Sequence, residues 1–326
     1  MEQILRDRMV EFGAKRSRGP YKESTIKMYI SNCRNFQKLI EGDKLWDDLD
    51  WARDGDAVLQ KLYTDMYLGK KSQTTYRNYI NSLIACLQCM EYPSDVIKPY
   101  ETRRDTLTAD YVKKGNLTEN QDKIMSEISK QDILNFLDMD ALKKSKLNQM
   151  ELQLYTVIAI HTQYPFRNEL ADMKVIRKLT FDKLSPEEKN ANNWYVLRKG
   201  WTEADFYITK YKTADIYGVK AFEVVAPFRA YIHKLYKLRK ISLSKANNTH
   251  LLQWNNGSSL DRNQLSKKLA EYTGKNIGHP ISTTLLAKYF GVAAKDPLNP
   301  TPEELELMKK QADIRGHSIL TKLLHY

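Results

Sequence analysis

The sequence predicts a mainly α protein, with a helical N-terminal domain followed by an α+β domain that holds a small antiparallel sheet. Apolar positions recur at helical spacing through roughly the first 115 residues. The β-rich runs are three and all lie downstream, between Trp194 and Val225. At 326 residues the chain is long enough for two domains, each with its own core.

In chain order, Ser24 to Ile40 places Ile26, Tyr29, Ile30, Cys33, Phe36 and Ile40 on one face, and Ser24 is its expected N-cap. Trp46 to Trp51 reads as a turn held by aromatics. Ser72 is the expected N-cap of a second amphipathic helix through Arg77 to Met90. Tyr100 to Gln121 is charged, contains Gly115 and lacks an apolar stripe, so it reads as the connection between domains. The division expected is 1–115, a linker at 116–125, and 126–326. Ser129 is a candidate cap for the next helix, and the apolar run Met150 to Thr162 predicts a buried one. Strands are expected at Trp194–Arg198, Asp205–Thr209 and Ala221–Val225, then a helix opened by Pro227 and running to about Lys240. Helices fill the remainder.

The formal net charge is +12, from Lys+Arg 52 against Asp+Glu 40, which favours a polyanionic partner because clustered cations displace the counterions of nucleic acid. The three cysteines, Cys33, Cys86 and Cys89, build no disulfide framework and fit a reducing compartment. Cys86 and Cys89 form a C-x-x-C, but in an apolar helical pattern with no second pair, so they read as core residues rather than zinc ligands. No apolar run approaches the ~20 residues needed to span a bilayer, and Met1–Arg8 has no apolar signal core. Cytoplasm or nucleus is the expected location, with no membrane partner.

Four segments carry residues suited to phosphodiester chemistry. That reaction, run without a metal, needs a nucleophile, cations on the non-bridging oxygens, and an acid for the leaving 5′ oxygen. His161-Thr-Gln-Tyr-Pro-Phe-Arg167-Asn-Glu-Leu supplies an arginine at what reads as the start of a helix, where backbone N–H groups favour an anion. Ile208-Thr-Lys210-Tyr-Lys212-Thr-Ala-Asp-Ile-Tyr-Gly218 supplies two lysines between strands, and lysine has a tunable pKa. Pro280-Ile-Ser-Thr-Thr284-Leu-Leu-Ala287-Lys-Tyr-Phe290 reads as a short helix. Gly316-His317-Ser318 is followed nine residues after the histidine by Tyr326. Each has a plainer reading: Arg167 as an ion-pair partner of Glu169 or Asp172, the lysines as solvated hairpin residues, His317 as a helix cap, Tyr326 as a terminal residue.

Together the four segments resemble the motifs of the tyrosine recombinase (integrase) family, in a viral or mobile-element branch. The resemblance is specific only within these segments. It implies that Tyr326 is the nucleophile, that Arg167 and His317 bind the scissile phosphate, and that Lys212, with Lys210 as rival, protonates the leaving oxygen. Thr284 and Ala287 take the positions of the family's second-motif histidine and arginine. The second clamping arginine is therefore missing, and Lys288, one residue on, lies roughly 100° around a helix. Two readings of Ala287 stay open: a chain that is inactive or uses another cation, and an arginine replaced by alanine. The first motif departs as well, with Pro165-Phe166 in place of a glycine turn.

The resemblance further implies a helical core-binding domain that clamps the duplex with the catalytic domain. It implies double-stranded DNA and a homotetramer on paired sites as partners, and no cofactor or metal. Lys15, Arg16, Arg18 and Lys22 suit phosphate contacts, joined by Arg77 and Lys210. A type IB topoisomerase-like enzyme and a non-catalytic DNA-binding protein of the same fold are the alternatives, and a helical interaction protein with no DNA role is a further one.

Overall fold

The structure, a computed structural model, describes residues 1–17, 19–69, 71–113, 117–137, 147–166, 168–211, 213–291 and 301–315. The chain divides into two compact units, Met1–Glu119 and Asn120–Tyr326.

The first unit is helical: α1 (Glu2–Ala14), α2 (Glu23–Glu41), α3 (Gly55–Tyr67), α4 (Gln73–Cys89) and α5 (Ser94–Lys113). Its core joins Ile26, Ile30, Cys33 and Phe36 of α2 to Ile80, Leu83, Cys86 and Leu87 of α4. The cysteines are free and buried, as expected of small apolar residues. Ser72 caps α4, its hydroxyl accepting from Thr75 N at 3.2 Å. Ser24 does not cap α2: the helix opens at Glu23 with Lys22 at the cap position, so Ser24 lies in the first turn. The stretch read as a connection is helical through Lys113, because Tyr100 and Leu107 are buried in this core and Tyr100 Oη donates to Ala52 O at 2.8 Å. Its two apolar contacts lie seven residues apart, too sparse to read as a stripe in so charged a sequence.

The second unit contains α6 (Glu119–Glu127), α7 (Lys130–Phe136), α8 (Gln149–His161), β1 (Lys174–Arg177), α9 (Lys178–Phe181), α10 (Pro186–Asn190), β2 (Trp194–Lys199), β3 (Glu203–Ile208), α11 (Ala214–Tyr217), β4 (Lys220–Glu223), α12 (Ala226–Leu238), β5 (Thr249–His250), α13 (Arg262–Ile277), α14 (Thr283–Tyr289) and α15 (Pro302–Arg315). Ser129 caps α7 in a reciprocal box with Asp132. The protein is mainly helical with a small sheet in its C-terminal part. That sheet has five strands rather than three, in the order β4-β3-β2-β1-β5. It is mixed: β1 runs parallel to β2 and the other pairings are antiparallel. The short helices α9 and α10 supply the crossover that a parallel pair requires. β1 and β5 have four residues and two, too few to show alternation in the sequence.

Alternation places Val175, Tyr195, Leu197 and Phe206 against the main core with α8 and α12. Ile176, Trp194 and Val196 face the other way, onto Phe181 of α9. No helix among the described residues is long and apolar enough to cross a membrane.

Buried Gln153 of α8 ties this core together. Its Oε1 accepts from Arg239 at 2.6 Å and from Gln253 N at 2.6 Å, and its Nε2 donates to Gln253 O at 3.0 Å. Burial pulls the Arg239 guanidinium down to about 10, so it remains charged at neutral pH and needs this partner. Gln153→Ala leaves the two Gln253 backbone groups unpaired and the Arg239 guanidinium with only the His250 and Leu251 carbonyls, and a loss on the order of 3 kcal/mol is expected in urea denaturation.

Candidate functional site

Arg167, Lys212, His317 and Tyr326 lie outside the described residues, as does Arg18. The residues on both sides of Arg167 and Lys212 are described, as is the chain up to Arg315, and in the second unit these flanks are bound to one another.

On the N-terminal side of Arg167, Phe166 is buried in an aromatic cluster. Tyr164 stacks on it at 5.9 Å and on Phe222 of β4 at 5.3 Å, while Phe206 of β3 meets Phe166 edge-on at 5.3 Å. Tyr164 Oη also donates to Glu223 O at 2.7 Å and accepts from Val225 N at 3.2 Å. Such ring pairs add about 0.5–1.5 kcal/mol each beyond area burial. The aromatic that replaces the expected glycine turn is thus a core residue that locks this segment to the strands. On the C-terminal side no helix begins. Residues 168–172 form turns, with Ala171 N donating to Asn168 O at 3.1 Å and Asp172 at φ 58, before β1 starts at Lys174. The chain must turn here to enter β1 and its parallel pairing with β2, so no helix begins in residues 168–172, where one was expected.

Asn168, next to Arg167, accepts a 2.7 Å hydrogen bond from the hydroxyl of Thr283, the first residue of α14. Thr283 is fully buried. This bond fixes the first segment to the helix carrying Thr284 and Ala287. Thr284 is exposed; Ala287 is 0 % exposed. Lys288 points away to α6, its Nζ donating to Gln121 at 3.3 Å. It supplies no cation in the direction of Ala287.

The lysine segment is held by Asn193. Its Nδ2 donates to Glu169 O at 3.0 Å and to Lys210 O at 3.2 Å, and its Oδ1 accepts from Thr209 N at 2.9 Å and Lys210 N at 2.7 Å. One side chain therefore holds residues two beyond Arg167 and two before Lys212. Arg262 adds a bond to Lys210 O at 3.2 Å. β3 ends at Ile208, and Lys210, beyond the strand, is exposed. Beyond Lys212 the chain forms α11 and turns at Gly218, whose φ of 66 suits glycine. Tyr211 Oη closes this loop by donating to Gly218 O at 2.6 Å.

α15 ends at Arg315, directly before Gly316. Gln311 donates to Phe290 O at 3.1 Å, the C-cap of α14, and Asp313 pairs with Lys220 at the start of β4. Burial raises the Tyr211 pKa, and the Asp313 carboxylate adds to it. Asn193, Thr283, Lys220 and Asp313 were not distinguished in the sequence. Asn193 stands beside Asn192 in a polar run, and nothing in that run separates the buried amide from the other.

In the first unit, Lys15 and Lys22 are exposed at helix ends. Arg16 lies 4.0 Å over the Tyr21 ring and Arg77 lies 4.2 Å over Tyr111. Arg16 also lines a groove of about 490 Å³ shared with Asn32, Asn78, Asn81, Gln88 and Arg104. Its polar walls suit a hydrogen-bonding, anionic ligand.

Asn193→Asp keeps the size but replaces two donors by acceptors facing the carbonyls of Glu169 and Lys210. A loss on the order of 3 kcal/mol is expected, as large as that of Asn193→Ala or larger, measured by thermal denaturation with amide exchange at Thr209 and Lys210.

No family model matches the chain, and no curated protein matches it. Among solved structures it is similar to the crystal structure of XerA recombinase. The identity is 13%, over 100% of this chain and 93% of that chain, with a TM-score of 0.35. A score that low gives the likeness no weight in the functional reading.

Proposed function

We propose that the chain is a tyrosine-type site-specific DNA recombinase. The observation that carries this is the bonding of the flanks. Four segments far apart in sequence, three of them bearing a residue type that the reaction needs and the fourth bearing Ala287, are joined at or beside their ends by Asn168–Thr283, Asn193 with Glu169 and Lys210, and Lys220–Asp313. A set of solvated, unrelated polar residues gives no reason for such linkage.

In this reading the Tyr326 phenol gives up its proton to solvent as its oxygen bonds to phosphorus. The bond from phosphorus to the 5′ oxygen breaks, and Lys212 protonates that oxygen. Arg167 and His317 stabilise the charge on the pentavalent phosphate. The 3′-phosphotyrosine conserves the bond energy, so a 5′ hydroxyl from a partner strand reverses the step on a new substrate without an external energy source. Two DNA sites would be paired in a homotetramer. Arg16, Lys15 and Lys22 would meet the DNA backbone, in a viral or mobile-element setting.

Buried, apolar Ala287 favours a second reading, a DNA-binding protein that no longer cleaves. Loss of one electrostatic donor lowers such rates on the order of 100–1000-fold.

The test is covalent trapping on nicked, randomised duplexes quenched with SDS, using the unmodified chain, Ala287→Arg and Tyr326→Phe. The expected outcome is a weak adduct that rises on the order of 100-fold with the arginine and vanishes with the phenylalanine. Thermal melting checks that the arginine is accommodated. Salt-sensitive DNA binding with no adduct from a folded Ala287→Arg protein would establish the second reading instead.

A further inference from the structure

The proposed reaction needs the Gly316–Tyr326 segment to be delivered to the lysine loop, and two observations bear on what delivers it. Asp313 of α15 is three residues before Gly316 and pairs with Lys220, the first residue of β4. Lys220 is largely buried, its side chain 13% exposed, whereas that of Asp313 is 73% exposed. Asp313 also lies close enough to raise the pKa of Tyr211, the neighbour of Lys212. Asp313 thus pairs with the chain just after Lys212, and Tyr211, just before Lys212, is tied to that side through Gly218 O. The rest of α15 is seated by buried Met308 and Ala312 and by the bond from Gln311 to Phe290 O.

We infer that Lys220 and Asp313 form a positioning latch, which sets the helix that leads into His317 and Tyr326 against the loop that bears Lys212. The inference rests on the recombinase reading for its catalytic consequence, but the latch is a physical contact in its own right. Neither residue touches the reacting atoms. Their effect is on geometry, to which strand transfer is sensitive because a displacement near 1 Å can cost about 100-fold. A half-exposed ion pair is a modest restraint, so an effect of about tenfold is expected from its loss.

The test uses the full chain and its Ala287→Arg form, each with Lys220→Ala, Asp313→Ala, and the exchanged pair Lys220→Asp with Asp313→Lys. Adduct formation under single-turnover conditions, DNA affinity, and amide exchange across residues 301–315 without DNA are measured. The expected result is that each single change slows adduct formation about tenfold, leaves DNA affinity unchanged and speeds exchange in α15, and that the exchanged pair recovers both. A merely structural lysine would not be rescued by reversing the charges. Unchanged exchange in the single variants, or no recovery in the exchanged pair, would overturn the latch. Absence of adduct from every version counts against the recombinase reading and the latch's catalytic role, while exchange still decides whether the contact restrains α15.

Discussion

The arrangement of the candidate site depends on the satisfaction of one buried amide. Asn193 is 4 % exposed, and a carboxamide removed from water must find partners for two donors and for its oxygen. It does so entirely on main-chain groups, those of Glu169, Thr209 and Lys210. The carbonyls require donors and the amides require an acceptor, and among side chains of this size only an amide offers both. β3 could not end at Ile208, beside the turn that follows Arg167, unless these backbone groups were paired. The aromatic cluster of Tyr164, Phe166, Phe206 and Phe222 adds packing to the same junction. Polar satisfaction sets the register between the two segments, and ring packing sets their depth.

Around this junction most bonds run through backbone and neutral side chains, which salt does not screen, with Arg262 adding one to Lys210 O. The side chains that hold the junction are thus other than the cations of the reading. This bears on Ala287. A donor that acts only in the transition state contributes nothing to folding, so its absence leaves the scaffold intact while removing about 3–4 kcal/mol of transition-state stabilisation. An intact scaffold with a missing cation is therefore compatible with binding that outlasts catalysis. The two readings part at the chemistry.

Much of the architecture was legible in the sequence because it is periodic. The α2 and α4 stripes, the Ser72 and Ser129 caps and the β-rich runs of β2 and β3 all follow from repeat spacing, cap chemistry or strand-forming composition. What was not legible is set by long-range pairing. Residues 168–172 read as a helix start because Arg-Asn-Glu-Leu has helical propensity, yet the pairing of Lys174–Arg177 with Trp194–Leu197 requires a turn into a strand. Tertiary pairing overrides local preference there. Pro165-Phe166 read as a departure from a motif, whereas Phe166 is a core ring. The Lys220–Asp313 contact joins residues 93 apart in sequence, and no local pattern announces it. The candidate chemistry was legible only as residue types at suggestive spacings; their flanks, not their periodicity, supply the reason to group them.

The links differ in how they respond to ionic strength, and this separates their roles. The bonds of Asn193 and the Asn168–Thr283 bond are between neutral groups, so added salt leaves them unchanged. Lys220–Asp313 has one largely exposed partner and weakens as salt screens it. Binding of a +12 chain to DNA also weakens with salt, through counterion release. Two salt effects thus act on the same proposed reaction, but they enter at different steps: one in association, which saturating DNA removes, the other in placement of the segment leading to Tyr326, which saturating DNA does not. A salt dependence of adduct formation that survives at saturating DNA therefore belongs to placement within the protein–DNA complex, and its disappearance in the Lys220→Ala protein would assign it to this contact.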